Sequence, residues 1–320
     1  MGDKIVGNKV SSVYNIVEML NMLKIPYTRL GKGTCDNFDA VVRLAIAKRN
    51  NLVFCNKPNS QTLPFINDNP EVIVLMEEKC GKENSEALIN SKATVFLVDN
   101  PRLVVSKILS LIYPNEDVWE EGIHPTAVVH PNADIDISVS IGRYAIIGKC
   151  SIGADSRVGA FTIIKNDTVI GKKVTIREFC HIGGCGFGIV RVEQSNRLTR
   201  FPHIGRVVVE DEVELFPYVN VDRGALGDTT VKRGTKIDHY SHIGHNCTVG
   251  ENTIITARTV MCGGSSIGDN SWSGVGVIIK EKVSVGNNVT IGLGAVVTKN
   301  VKDGDIVAGV PARSIKGEAK

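Results

Sequence analysis

Aliphatic residues return at every sixth position over much of this chain. Stepping by six from Val207 reaches Val213, Val219, Ala225, Val231, Ile237, Ile243, Val249, Ile255, Met261, Ile267, Ser273, Ile279, Val285, Ile291 and Val297, and fourteen of these sixteen positions are Val, Ile or Met. Gly often follows at once, as in Ile243-Gly244 and Ile267-Gly268. An earlier block, Ile123, Val129, Ile135, Ile141 and Ile147, keeps the same spacing. The register then slips by one residue and continues through Ile152, Val158, Ile164, Ile170, Ile176 and Ile182. Gly183 to Arg206 breaks the period as an insertion, after which the frame reads as unbroken from Val207 to Val297. An α-helix brings apolar positions back every three or four residues, and a plain strand every two. A period of six instead requires short strands separated by turns, each hexad forming one flat side of a stacked coil.

The first 122 residues lack this period. Lys9 to Lys24 predicts an amphipathic helix, with Val10, Val13, Val17, Leu20 and Leu23 on one side. Leu52–Phe54, Val72–Met76 and Thr94–Val98 predict short buried strands, and Asn100-Pro101 ends the last of them. Arg102 to Leu111 then predicts a helix stopped by Pro114. The expected organisation is an N-terminal α/β domain at 1–114, a polar linker at 115–122, a β-helix at 123–307 with an insertion loop at 183–206, and a C-terminal tail at 308–320.

Composition narrows the picture. Hydrophobic residues make up 42% and aromatics 5%, so the core should be aliphatic, as thin stacked repeats need. A net charge of +3 gives no bulk electrostatic case for nucleic-acid binding. No stretch approaches the length of a membrane span, and Met1 to Val6 lacks the apolar run of a signal peptide. These features point to a cytoplasmic protein whose eight scattered cysteines are reduced and mostly buried.

The chemistry-bearing residues cluster. The richest segments are Asp222-Arg223-Gly224-Ala225-Leu226-Gly227-Asp228 and Lys236-Ile237-Asp238-His239-Tyr240-Ser241-His242-Ile243-Gly244-His245-Asn246. Gly186-Phe187-Gly188 and Phe201-Pro202-His203-Ile204-Gly205-Arg206 lie in the insertion and at its end. With the hexads, these motifs resemble the UDP-3-O-acylglucosamine N-acyltransferase family of the hexapeptide-repeat acyltransferases, from about Asn51 to Val297. The resemblance implies a left-handed parallel β-helix with three hexads per 18-residue coil, so the 27 spaced positions give nine coils. It also implies a homotrimer with active sites between subunits, and a role in lipid A and lipopolysaccharide biosynthesis. The implied reaction is transfer of an acyl group from a thioester to the amine of a nucleotide-linked amino sugar. Acyl carrier protein or coenzyme A would be the donor, with no permanently bound cofactor.

Such a transfer needs a base of near-neutral pKa for the amine and N–H donors for the tetrahedral oxyanion. His245 stands where the family has its catalytic His. One 18-residue coil above it is Gly263, in Cys262-Gly263-Gly264. The expected pair is therefore His245 as general base and Gly263 N–H as oxyanion donor; the plain alternative is a turn histidine bonded to a neighbouring coil. Asp222, Asp228, His239, His242, Asn246 and Phe187 are candidate substrate contacts. Asp222 or Asp228 could orient His245, or both could form, with Arg223, a turn held by a buried ion pair. His239, His242 and His245 invite a metal reading, which the repeat weakens: residues six apart sit on successive sides of the prism and point about 120° apart.

Ala308-Gly309-Val310-Pro311-Ala312-Arg313 resembles the closing segment of many coenzyme A-dependent hexapeptide acyltransferases. This makes Arg313 and Lys316 candidate contacts for donor phosphates, or simply solvated terminal charges. Three departures from the N-acyltransferase family stand out. Phe54-Cys55-Asn56-Lys57-Pro58-Asn59 lacks the aromatic residue that the family stacks on uracil, a second family His is Lys282 here, and the C-terminal helical extension is missing. A coenzyme A-dependent acyltransferase for a UDP- or dTDP-amino sugar of surface polysaccharide, and a non-catalytic sugar-binding β-helix, are the competing readings.

Overall fold

Two residues of each hexad turn inward: an aliphatic one and, two positions before it, a smaller one. Thr235 and Ile237, Ser241 and Ile243, and Thr253 and Ile255 are almost wholly buried pairs of this kind. The buried hydroxyls find partners in the next coil. Thr235 Oγ1 donates to the carbonyl of Gly250 at 2.6 Å and accepts from Thr253 N–H at 3.2 Å, so burying it leaves its polar atom satisfied; Thr168 Oγ1 is an exception, buried without a partner. The third residue after most inward aliphatics takes a left-handed backbone, as at Phe161 (φ 59°), Tyr240 (φ 58°) and Asn246 (φ 59°). These turns bend the chain from one flat side to the next.

The computed structural model describes residues 13–113 and 119–317. The chain forms two compact units, Met1–Val118 and Trp119–Lys320. In the second, the strands stack into three sheets of eight, nine and ten strands, parallel except for the final strand Arg313–Ser314. The nine-stranded sheet carries His242, the ten-stranded sheet Lys236 and the eight-stranded sheet Thr248. A continuous aliphatic core, from Val139 to Val307 among the buried residues, fills the prism.

The stacking register corrects the sequence frame. The slip after Ile147 is present, since Ile135 stacks on Ile152 and Ile147 on Ile164. Beyond the insertion, however, the column runs through Val209, Leu215 and Val221 rather than Val207, Val213 and Val219. Val209 stacks on Val231, Leu215 on Ile237 and Val221 on Ile243, steps of 22 residues. From Val221 to Val231 is ten residues instead of six, so the Asp222 to Asp228 segment is a four-residue insertion. Four is two short of a full hexad, so a count of six passes from the aliphatic position to the smaller one without meeting a polar residue. Val207, Val213 and Val219 are as buried as their partners, and Ala225 belongs to the inserted turn.

The first insertion, 183–206, forms an exposed antiparallel hairpin, with Ile189–Arg191 paired to Leu198–Arg200. At the corner after the ten-stranded sheet, five rings stack face to face: Tyr144, Phe161, Phe179, Tyr218 and Tyr240, with centroids 5.2, 5.1, 4.9 and 4.8 Å apart.

The N-terminal unit is a five-stranded sheet in the order Thr28–Leu30, Thr94–Val98, Val72–Glu77, Asn51–Cys55, Ala40–Val41, with the first of these antiparallel to its neighbour. The helix expected from Arg102 to Leu111 spans Pro101–Ile112. The first helix is shorter than expected. It runs Ile16–Met22, capped by the Asn15 side chain, which accepts from Glu18 N–H at 3.1 Å. Val13 precedes it and is exposed, and Lys9 to Ser12 lie outside the described residues. All eight cysteines are free thiols, and four rather than most are buried. Burial pushes the Cys150 thiol up to about 11 and, together with Glu178 and against two backbone hydrogen bonds, the Cys180 thiol to about 12.

Candidate active site

His245 sits at the corner that follows the nine-stranded sheet, two residues after inward Ile243. Its Nδ1 is 3.2 Å from Asn246 Oδ1. The same oxygen accepts the backbone N–H of Ala225 at 2.9 Å, which fixes the orientation of the amide. An oxygen can only accept, so Nδ1 carries the ring proton and Nε2 keeps its lone pair. Asn246 is itself pinned, its N–H donating to Thr229 Oγ1 at 2.8 Å. The four inserted residues thus have a purpose: they bring the Ala225 N–H to the amide that sets the tautomer of His245.

The ring of His245 lies on Gly263 of the next coil. A side chain at Gly263 would start 2.7 Å from His245 Cε1 and closer still to Nε2, so any residue but glycine would push the imidazole from this position. On either side of it, Cys262 N–H donates to Ile279 O at 3.0 Å and Gly264 N–H to His245 O at 2.8 Å. The N–H of Gly263 donates to no group among the described residues. A lone pair and a free N–H therefore stand together at this corner, the two groups an acyl transfer to an amine requires.

The other candidates disperse. Asp222, 8% exposed, accepts from Asn220 Nδ2 at 2.8 Å and faces His242 Nε2 at 3.7 Å. Asp228 pairs with Arg206 at 3.0 Å, and Arg223 with Asp167 at 3.6 Å. The expected ion pair within the turn is therefore not made, and the group that orients His245 is the Asn246 amide rather than a carboxylate. His239 bonds Asp238 at 2.6 Å beside Phe216 and Tyr240. Burial raises the Asp238 pKa, but hydrogen bonds from the His239 ring and N–H outweigh it and leave the carboxyl below its ordinary value. Phe187 is 88% exposed in the insertion. Arg313 and Lys316 bond backbone carbonyls of Ala312 and Gly304. The tail is tied to the coil of Val296 by Ala312 N–H, three stacked strands and roughly 14 Å along the prism from the coil of Ile243.

Three residues of this region, His181, Asn220 and His203, escaped the sequence reading as site candidates. His181, Asn220 and His242 form a hydrogen-bonded column on the nine-stranded sheet, with His181 Nδ1 to Asn220 Oδ1 at 3.2 Å and Asn220 Nδ2 to His242 Nδ1 at 2.9 Å. His203, buried at 7% exposure, packs its ring edge-to-face on His245 with centroids 4.9 Å apart. Spacing gives no hint of either, because both depend on the two insertions. The available signals were the Gly-Phe-Gly motif, whose glycines make room for His203, and the Phe201 to Arg206 motif that contains His203 itself.

Residues 228–263 match the family model described as bacterial transferase hexapeptide (six repeats). Superposition on a UDP-N-acetylglucosamine acyltransferase of Francisella novicida gives a TM-score of 0.55, covering 62% of this chain and 73% of that one at 25% identity. The fold is a left-handed parallel β-helix. Among curated relatives, this β-helix is similar to UDP-3-O-acylglucosamine N-acyltransferases. One from Coxiella burnetii (strain Dugway 5J108-111) is 30% identical over 214 residues, 59% of this chain and 58% of the relative. Another, from Rhodopseudomonas palustris (strain BisB5), is 36% identical over 225 residues, 61% of this chain and 62% of the relative. The chain thus spans about three-fifths of the length of the curated relatives it matches. The left-handed β-helix is supported by both the match to the repeat model and the likeness to solved acyltransferases.

Proposed function

We propose that this protein is an N-acyltransferase that moves an acyl group from a thioester to the amine of a nucleotide-linked amino sugar, most closely a UDP-3-O-acylglucosamine of the lipid A type. The observation that carries the reading is the bare Nε2 of His245 above the free N–H of Gly263. The names of the curated relatives supply the substrate class. In this reading the amine nitrogen attacks the thioester carbonyl while His245 Nε2 takes a proton from it. The carbonyl oxygen becomes an oxyanion and is met by Gly263 N–H. Collapse breaks the C–S bond, the imidazolium returns the proton to the departing thiolate, and the products are an amide and a free thiol. No covalent enzyme intermediate is needed.

Acyl carrier protein is the donor named first, with coenzyme A second, and the working unit is a homotrimer in the cytoplasm. No helix among the described residues is long and apolar enough to cross a membrane. The deciding experiment supplies acetyl-CoA or a hydroxyacyl carrier protein together with a panel of UDP- and dTDP-amino sugars, and reads product masses. The expected product is the N-acylated UDP sugar, formed by the wild type and lost by about a thousandfold in a folded His245→Ala protein. Acetylation of a UDP- or dTDP-amino sugar from coenzyme A alone would favour the surface-polysaccharide reading. No transfer from any donor would favour a sugar-binding scaffold.

A further inference from the structure

His203 holds a buried acceptor that nothing satisfies. Its Nδ1 is 3.0 Å from the carbonyl oxygen of Phe201. A carbonyl only accepts, so Nδ1 carries the proton and Nε2 keeps its lone pair. That Nε2 is buried without a hydrogen-bond partner. A buried, unmet acceptor is a standing cost to stability, yet the chain is shaped to hold it. A side chain at Gly186 would start 2.8 Å from His203 Nε2 and 3.0 Å from Cβ and Cδ2 of His245, and one at Gly188 would start 2.5 Å from His203 Cε1. The Gly-Phe-Gly motif is thus the space that admits this ring against His245, edge to face at 82°.

We infer that His203 is a positioning residue whose unmet lone pair stabilises the protonated form of His245. While His245 is neutral, the negative pole beside it contributes little. Once His245 has taken the amine proton, a positive charge on this half-buried ring stands next to that buried pole, where such an interaction is stronger than in open water. The gain appears only after the proton has moved, the kind of difference that raises kcat rather than binding. The other titratable side chains around this corner include Cys185, which precedes Gly186, Cys262, beside Gly263, Glu281, whose charge acts on Cys262, and Lys282, whose Cγ lies 3.6 Å from where a side chain at Gly264 would begin. The Asp228–Arg206 pair belongs to the neighbouring turn. None of these packs a ring on that of His245 as His203 does, with centroids 4.9 Å apart.

The inference rests on acyl transfer as the activity, but its decisive measurement does not. NMR titration of His245 in the full chain without substrates compares the wild type with His203→Phe, which keeps an aromatic ring and removes the lone pair, and with His203→Gln, which returns an acceptor oxygen. His245 is expected to titrate about one unit lower in His203→Phe and close to the wild-type value in His203→Gln. kcat should fall about tenfold in the former with KM unchanged. If phenylalanine prevents folding, His203→Leu, which also has no acceptor, carries the same expectation. An identical His245 titration in the wild type and the lone-pair-free variant overturns the inference, whether or not acyl transfer is observed.

Discussion

The corner that holds His245 and the corner that follows the eight-stranded sheet share a backbone, and they use it in opposite ways. In both, the second residue after the inward aliphatic presents its N–H along the prism. After the eight-stranded sheet these groups are capped from the next coil: Glu251 N–H donates to Asp269 Oδ1 at 2.8 Å, Asp269 N–H to Asn287 Oδ1 at 2.8 Å, and Asn287 N–H to Asp303 Oδ1 at 2.9 Å. After the nine-stranded sheet one such group is capped as well, Lys149 N–H donating to Asn166 Oδ1 at 2.9 Å, but at the coils of Ile243 and Met261 the equivalent residues are His245 and Gly263, and Gly263 N–H is left open. A ladder of Asp and Asn turns the repeated N–H into stability. Without such a rung, and with a histidine laid over it, the same N–H stays open. The coil geometry is common to both, so the choice between the two uses lies in single side chains.

Three substitutions test that contrast. Gly263→Ala puts a methyl group into the His245 ring and displaces the base from the open N–H. Activity, read as kcat/KM for the N-acyl product, should fall by at least about a hundredfold while the melting temperature stays near that of the wild type. An active Gly263→Ala enzyme would separate this corner from the chemistry. Asn246→Gly keeps the left-handed backbone freely but releases His245 Nδ1 and the Ala225 N–H. A loss of about ten- to a hundredfold in kcat is expected, and NMR of the imidazole should show both tautomers. A single unchanged tautomer would mean that something other than Asn246 sets it. Asp269→Ala uncaps Glu251 N–H at the other corner and should cost about 1 kcal/mol of stability, with kcat unaltered. Equal damage to activity there would erase the distinction between capped and open corners.

The period of six was plain in the sequence because each hexad must bury an aliphatic side chain, and stacking repeats that demand at fixed spacing. The pairing of His245 with Gly263 was legible for the same reason, since the coils from Val231 to Val297 do step by 18. The frame upstream was misread because Val207, Val213 and Val219 are as apolar and as buried as Val209, Leu215 and Val221. A shift from one buried position to the other leaves no polar residue in the wrong place. The ion pairs of Arg206, Arg223, Asp222 and Asp228 were not legible, because their partners come from other coils and from the hairpin end. His203 was missed because it is 42 positions before His245 and reaches it only by the fold of the insertion.

The five stacked rings from Tyr144 to Tyr240 have one more consequence. Between these rings the chain advances by 17, 18, 39 and then 22 residues, so the column spans the coils in which the regular count fails. Where the count settles to 18, the rings stop, and Arg258, Gly276 and Gly294 occupy the same corner. A solenoid of near-identical rungs is open to pairing with the wrong rung, since neighbouring hexads offer similar aliphatic faces. A chain that skipped a rung here would break the line of rings and set at least one of them against a non-aromatic residue. The aromatic column therefore acts as a key that makes mis-threaded alternatives costly in the stretch where the insertions would otherwise invite them.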